Sequence, residues 1–259
     1  MKWRRAAIIG IGVLGLGCGA IGAALSLGLF EPPGSGAAAA LSAKDSAARP
    51  VDDAPAERVA PAAANSAPRA DPVWIAATAT ATGIPERALT AYAQAALLGE
   101  EEAPGCGIGW NTIAAIGLVE SAHGTINGAK LGANGRAVPE IVGPALDGTV
   151  YDAIPDTDRG VLDGDPMWDR AVGPLQFLPQ TWSDYGKDAT GDGTADPHQI
   201  DDAAWGTATM LCAVGGDLTI PENWIAAVDA YNPNIAYNND VADAADAYAA
   251  AASSSAAAR

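Results

Sequence analysis

Glu120 is the residue of this 259-residue chain best suited to act as an acid, and it lies in the sequence GLVESAHG at residues 117–124. The apolar residues before it, among them Ile113 and Ile116, fall within one or two turns of a predicted helix, and Gly124 marks the helix end. Burial against such a surface raises the pKa of a carboxyl, as a general acid near neutral pH requires. A solvated glutamate on an amphipathic helix is the alternative interpretation.

A second candidate is the sequence RAVGPLQFLPQTW at residues 170–182. Gly173 and Pro174 predict a rigid turn that presents Gln176, whose amide both donates and accepts hydrogen bonds, next to Phe177. On its own, such a motif is more often a turn or a core contact than a binding site.

A third candidate is the sequence AYNPN at residues 230–234, at the boundary of two predicted helices. Tyr231 offers a phenol, Asn232 offers an amide, and Tyr237 lies nearby as a possible stacking surface. Caps and core contacts use the same residue types, so this motif indicates a site only together with the others.

An Asp-rich loop, DATGDGTADPHQ at residues 188–199, is similar to a calcium-binding loop. Side chains with oxygen atoms recur at alternate positions, and Gly193 occupies the sixth place, where a sharp turn is required. Gln199 stands at the twelfth place instead of a bidentate glutamate, so the standard EF-hand pattern fails. A solvated Asp/Gly turn without an ion is the alternative.

The histidines exclude a zinc site. His123 follows Glu120 by three residues, which imitates a metal-binding pair, but a di-metal bundle needs two such pairs and the only other histidine is His198. We expect His123 to lie near a helix C-terminus, where a cation is favoured. The net charge of −17 argues against nucleic acid as a partner, because phosphate binding needs a basic surface.

The N-terminal sequence predicts an exported protein of the cell envelope. A basic head, MKWRR, precedes residues 6–30, which carry no charge and are long enough to cross a hydrocarbon core of ~30 Å as a helix. This charge pattern predicts an N-terminal membrane anchor at residues 1–30 with the remainder outside the cytoplasm. A cleaved signal peptide, which would release a secreted protein, is the alternative.

Composition divides the rest of the chain. Residues 31–71 are mostly Ala, Pro and Ser with scattered charges, which predicts a disordered linker. Residues 72–248 are long enough to bury one good core. The Ala-rich residues 249–259 predict a frayed helix end or a disordered tail.

Two of the three cysteines, Cys106 and Cys212, lie in the predicted exported part, where oxidation is allowed. We predict a disulfide between them, which would tie the start of the Glu120 helix to a later helix. Two separately buried thiols are the alternative.

Helical patterns recur after residue 72, and no convincing strand pattern appears, so we predict a mainly α fold. A long Gly/Pro/Asp-rich connection at residues 125–175 predicts a binding insert that walls a cleft, with a short hairpin near Thr149–Tyr151. The predicted helices cover residues 74–82, 85–98, 110–122, 179–185, 201–214, 221–230 and 235–250.

Taken together and in this order, the Glu-Ser, AVGPLQFLP-x-TW, Asp-rich and Ala-Tyr-Asn motifs closely resemble the membrane-bound lytic murein transglycosylase B family. The resemblance covers residues 72–248, and the actinobacterial-type members look nearest. It implies a lysozyme-like helical domain that acts on peptidoglycan glycan strands. Such enzymes cut between N-acetylmuramic acid and N-acetylglucosamine and leave a 1,6-anhydromuramic end.

The resemblance also implies residue roles. Glu120 corresponds to the single catalytic acid/base. Six side chains correspond to groups that bind the saccharide or support the site: Ser121, Gln176, Phe177, Tyr231, Asn232 and Tyr237. A structural calcium ion would be held by Asp188, Thr190, Asp192, Thr194 and Asp202.

One carboxylate is enough for this chemistry, because the C6 hydroxyl of muramic acid is the attacking group and is already on the sugar. We therefore expect no second acid within ~5–10 Å of Glu120 across the scissile bond. Asp163, Asp165 and Asp169 of the insert could approach the cleft, which makes a lysozyme-type hydrolase the close alternative. A non-catalytic peptidoglycan-binding module is the second alternative.

Overall fold

The computed structural model describes residues 69–257, so the predicted anchor and nearly all of the predicted linker lie outside the described residues. The prediction of a mainly α fold is confirmed. Seven helices follow in order: α1 Pro72–Thr82, α2 Glu86–Glu102, α3 Trp110–Ser121, α4 Pro179–Tyr185, α5 Ile200–Gly215, α6 Pro221–Tyr231 and α7 Ile235–Ala257. Over this part of the chain, none of the helices has the length and apolar character needed to cross a bilayer.

The helices begin where local chemistry favours a start. The Asp71 side chain accepts the Val73 N–H at 2.8 Å and caps α1. Proline occupies the first turn of α1, α4 and α6, where its missing N–H costs no hydrogen bond. At the end of α1, Gly83 adopts a left-handed conformation with φ 74°.

The core surrounds α3. The side chains of Ile113 and Ile116 and the two alanines between them are fully buried. The α2 helix packs on α3 and α5, and α7 packs on α3 and α1. Because α3 is covered on several sides, a polar residue near its end is removed from water unless a cleft reaches it.

The long connection between α3 and α4 contains one short hairpin, but not at the predicted place. The strands β1 Lys130–Leu131 and β2 Ala137–Val138 pair antiparallel, with Lys130 opposite Val138. The Asn134–Gly135 pair between them is a hairpin signal that the prediction overlooked. Thr149–Tyr151 forms no strand; there the Asp147 carboxylate accepts the Thr149 N–H at 2.9 Å and closes a turn.

The predicted disulfide between Cys106 and Cys212 is present, and its sulfur atoms are buried in the core. It joins the segment before α3 to α5, as predicted. The Cys106 carbonyl also accepts the Leu218 N–H at 2.7 Å, so the same segment is held by a second contact.

Two helix ends differ from the prediction. The α2 helix continues to Glu102 rather than to Leu98. The α7 helix continues to Ala257, through most of the segment predicted as a frayed end or disorder. Alanine has the highest helix propensity, and the Ser253 hydroxyl donates to the Ala249 carbonyl at 2.9 Å, which is compatible with helix.

Candidate active site around Glu120

Glu120 lies in the last turn of α3 and is buried, with 1% of its surface exposed. Its Oε1 atom accepts a hydrogen bond of 2.7 Å from the Tyr237 hydroxyl. Burial raises the pKa of Glu120 to about 8, and the Tyr237 bond opposes this shift because it favours the charged form. With this pKa the carboxyl is mostly protonated at neutral pH, which is the state that a general acid requires.

Two buried oxygen atoms of the site have no hydrogen-bond partner among the described residues. They are Oε2 of Glu120 and Oε1 of Gln176. Buried polar atoms are nearly always satisfied, so such atoms require an explanation. A ligand that supplies an acceptor to the first and a donor to the second would provide it.

The predicted Gly173–Pro174 turn is present and presents Gln176. Gly173 has φ 78°, and a Cβ atom there would collide with the Pro197 carbonyl, so glycine is required. Gln176 has φ 50°, and its side-chain amide donates to the Gly173 carbonyl at 2.8 Å. A strained, buried polar residue of this kind is typical of functional sites.

Ser121 connects the end of α3 to this turn. Its hydroxyl donates to the Pro174 carbonyl at 2.5 Å and accepts the Gly124 N–H at 2.8 Å. The residue after Glu120 thus fixes the Gln176 turn relative to the acid.

Phe177, Tyr231 and Asn232 are buried beneath the turn rather than displayed on a surface. The Tyr231 hydroxyl donates to the Leu175 carbonyl at 2.8 Å, next to Gln176. The Phe177 ring packs edge-on against Tyr231 with centroids 5.9 Å apart. In this conformation, Tyr231 and Phe177 support the turn on its buried side.

Tyr237 occupies a different place from the one expected of a stacking residue. Only 5% of it is exposed, and its hydroxyl contacts Glu120 instead of solvent. Asn234 fixes the first turn of α7, because its Oδ1 accepts the N–H groups of Ala236 at 2.8 Å and Tyr237 at 3.3 Å. The Asn-Pro-Asn sequence before the helix is a capping signal that could have located Asn234.

His123 lies just beyond the end of α3, but the expectation of a favoured cation is wrong. The ring is buried between Tyr92 and Tyr248, and burial lowers its pKa to about 4. Desolvation of a charged imidazole outweighs the helix-end effect, which is worth less than burial at enclosed positions. His123 is therefore neutral at physiological pH.

The three acids of the insert bind their own segment. Asp165 forms an ion pair with Arg170 at 2.9 Å, and Asp163 accepts the Arg170 N–H at 2.7 Å. Asp169 accepts the Thr157 N–H and hydroxyl, each at 2.8 Å. The pKa shift of Glu120 arises from burial and Tyr237, without a contribution from any carboxylate of the described residues.

The Asp-rich loop is closed by its own hydrogen bonds. Asp188 accepts the Gly193 N–H at 2.7 Å, and Asp202 accepts those of Ala189 at 2.8 Å and Asp196 at 3.0 Å. In this conformation these carboxylates, which were predicted to bind calcium, accept hydrogen bonds from the backbone of the loop.

The carboxylates among the predicted calcium ligands are not gathered around one point in this arrangement. Between residues 69 and 257, one set of three acidic side chains has oxygen atoms that all lie within 4.8 Å of one another, and it is Asp156, Asp158 and Asp169 of the insert. The carboxylates of the predicted loop form no such set, and the Thr190 hydroxyl donates to Asp188 at 3.1 Å.

The candidate site therefore combines a buried protonated acid, a tyrosine on one of its oxygens, and a strained glutamine with an unpartnered carbonyl. This arrangement can donate one proton to a bound ligand and take it back. Comparison of the chain with family models, curated proteins and solved structures finds no match.

Proposed function

We propose that this protein is a lytic transglycosylase of the lysozyme-like family that its motifs resemble. Its substrate would be peptidoglycan, cut at the β-1,4 bond between N-acetylmuramic acid and N-acetylglucosamine. The observation that carries the proposal is the state of Glu120, a buried carboxyl with a pKa of about 8, one oxygen bound by Tyr237 and the other free.

The first step is proton donation. The Tyr237 hydroxyl donates to Oε1, so the proton of the neutral carboxyl resides on Oε2, the atom without a partner. Oε2 donates this proton to the glycosidic oxygen, the C1–oxygen bond breaks, and the N-acetyl group of muramic acid supports the oxocarbenium charge. Glu120 is left as a carboxylate that Tyr237 stabilises.

The second step reverses the proton transfer. The Glu120 carboxylate takes the proton from the C6 hydroxyl of muramic acid, whose oxygen forms the new bond to C1. This closes the 1,6-anhydro ring and restores the acid. Because the attacking oxygen belongs to the substrate, the reaction gains effective molarity and needs neither a bound water nor a second carboxylate.

Two features of the site support this reaction over hydrolysis by two carboxylates. Burial raises the pKa of Glu120, and within residues 69–257 no carboxylate contributes to that shift. The acids of the insert, Asp163, Asp165 and Asp169, are engaged with Arg170 and Thr157. A lysozyme-type hydrolase remains the alternative that product chemistry decides.

A non-catalytic binding module is a weaker alternative. Binding a glycan does not require a buried, protonated carboxyl, and a buried ionisable group normally lowers stability.

A glycan reaches Oε2 only when neighbouring side chains move aside, because this oxygen is buried. Tyr237 does not have to leave for this, since it contacts the other oxygen.

Two further proposals concern the N-terminal segment and the Asp-rich loop. The N-terminal segment would anchor the enzyme in the membrane with its catalytic domain in the cell envelope, or would be cleaved to release it. Calcium binding by the Asp-rich loop would require Asp188 and Asp202 to exchange backbone N–H groups for the ion. We assign such an ion no part in the reaction.

The function is tested by digesting purified murein with the full chain and identifying the released fragments by mass spectrometry. We expect fragments that end in anhydromuramic acid, lighter by one water molecule than reducing ends. Glu120→Gln keeps the shape of the side chain but cannot donate the proton, so release should fall by at least ~100-fold. Glu101→Gln, the same change at an exposed site, serves as the control. Equal activity of wild type and Glu120→Gln would exclude Glu120 as the acid.

A further inference from the structure

His123 is a buried titratable residue that the proposed reaction does not use. Its ring is 5% exposed and lies between α2 and α7. Nδ1 is 3.2 Å from the Tyr92 hydroxyl, and Nε2 is 2.9 Å from the Tyr248 hydroxyl. A neutral imidazole has one donor and one acceptor, so these two phenols satisfy the whole ring.

The backbone around His123 is unusual. Ala122, His123 and Gly124 are left-handed in succession, with φ values of 49°, 61° and 81°. Glycine adopts this conformation freely, but the other two residues do so only when their surroundings hold them. The turn begins two residues after Glu120, directly after α3, so whatever holds His123 also fixes the end of α3.

Gly117 explains how Tyr92 reaches His123. A Cβ atom at Gly117 would collide with the hydroxyl and ring of Tyr92, so the glycine lets the phenol lie directly on α3. Tyr92 is fully buried, and its hydroxyl contacts the His123 ring. The first phenol of the pair is thus fixed by the core.

The second phenol belongs to the helix that carries Tyr237. Tyr237 and Tyr248 are eleven residues apart, about 16 Å along the α7 axis. Tyr237 contacts Glu120 and Tyr248 contacts His123, so α7 is bound at two places to the four residues that include the acid.

We propose that His123 is a positioning residue that holds α7, and through it the Tyr237 hydroxyl, on Glu120. The inference rests on the proposed function, because it assigns a role in the same site. His123 itself touches neither substrate nor the reacting atoms.

The position of His123 makes this contact sensitive to acid. The titratable groups that face its ring are Tyr92 from α2 and Tyr248 from α7, and Glu120 precedes it on its own segment. Neither phenol is ionised in the acidic range in which His123 titrates, because burial raises the pKa values of both. Protonation would place an uncompensated, desolvated charge between them, so the contact should weaken near the His123 pKa of about 4.

Two substitutions separate the hydrogen bond from the titration. Tyr248→Phe removes the bond to Nε2 but keeps the ring beside Trp110. We expect its kcat on murein to fall by ~3- to 5-fold at every pH, no more than in Tyr237→Phe, with a smaller change in KM. His123→Gln retains an amide that can bond Tyr248 but does not titrate. We expect it to keep more of the rate and to lose the acid limb of the pH profile.

Asn111→Ala is the matched control. Its amide donates to the Ala245 carbonyl at 3.1 Å, so it removes another hydrogen bond between α3 and α7, away from the acid. We expect kcat within ~2-fold of wild type. An equal loss in Asn111→Ala and Tyr248→Phe would overturn the inference, because general docking of α7 would then explain both.

A second readout does not depend on activity. The ionisation of the Glu120 carboxyl is followed by carbon-13 NMR in the full chain. Its midpoint should move in Tyr248→Phe and stay in place in Asn111→Ala. An unchanged midpoint and kcat in Tyr248→Phe would overturn the inference. A midpoint that moves in a protein that does not cleave murein would overturn the proposed function and leave the positioning role intact.

Discussion

The Tyr237 hydroxyl lies 2.7 Å from Oε1 of Glu120, although 117 residues of chain separate the two. The contact joins the first turn of α7 to the last turn of α3. It decides which oxygen of the buried acid carries the proton, since the bound oxygen is an acceptor. Tyr237 therefore contributes to the pKa of Glu120, and in the proposed reaction it also directs the proton to Oε2.

Tyr237→Phe should raise the pKa of Glu120 above its value of about 8, because the hydrogen bond that favours the carboxylate is lost. The alkaline limb of the murein cleavage rate should move upward by about half a pH unit, and kcat should fall by about 3- to 10-fold. Tyr185→Phe, on α4, is a control for loss of a phenol. A limb that moves downward would show that water entry outweighs the lost bond.

Glu120→Gln should stabilise the protein in alkali. The folded-state pKa of about 8 exceeds the ordinary value of 4.5. The contribution of the neutral carboxyl to the free energy of unfolding is therefore fully present below pH 4.5 and is lost as the pH rises through 8. The loss amounts to roughly 3 to 5 kcal/mol. Glutamine cannot ionise, so Glu120→Gln does not lose this stability in alkali.

The measurement is urea unfolding of both proteins at about pH 5 and about pH 9. The advantage of Glu120→Gln over wild type should be larger at the higher pH. An advantage that is the same at both values would mean that Glu120 is not buried in solution.

Reducing the disulfide should destabilise the fold. Cys106 and Cys212 are separated by 106 residues, so their bond removes considerable entropy from the unfolded chain. Replacing both by serine should lower the free energy of unfolding by about 3 to 5 kcal/mol. Thermal melts of the variant and of wild type with and without reductant test this. A wild-type Tm that is the same with and without reductant would argue against the disulfide.

Asp202 should stabilise the fold even when calcium is absent. Its carboxylate accepts the N–H groups of Ala189, Thr190 and Asp196, so Asp202→Ala leaves three backbone donors without this partner. We expect a loss of about 2 to 4 kcal/mol of stability even in chelator. The Asp192 carboxylate accepts only one backbone N–H, that of Thr194, so Asp192→Ala is the milder comparison. If Asp202→Ala costs stability only when calcium is added, the loop is a cation site instead.

Patterns of local origin were readable from the sequence. The apolar spacing before Glu120 indicated a buried acid, and Gly173–Pro174 indicated the turn that presents Gln176. The pairing of Cys106 with Cys212 followed from their location in the part of the chain predicted to be exported. Each of these features depends on residues close in sequence or on a simple choice of partners.

Features that depend on tertiary packing could not be predicted from the sequence. Nothing near Tyr237 indicates that its hydroxyl meets Glu120, because α7 returns to α3 only in the folded chain. The helix-end rule for His123 gave the wrong charge state, since it does not account for burial between Tyr92 and Tyr248. The Asn134–Gly135 hairpin, by contrast, had a local signal that was overlooked.

The central claim is that Glu120 alone drives the cleavage and that the sugar supplies its own attacking oxygen. The most direct test is digestion of murein by the full chain in water labelled with heavy oxygen, followed by mass spectrometry of the new glycan ends. The account predicts anhydromuramic ends without the label. Reducing ends that carry one labelled oxygen atom would contradict it and assign the protein to the hydrolases.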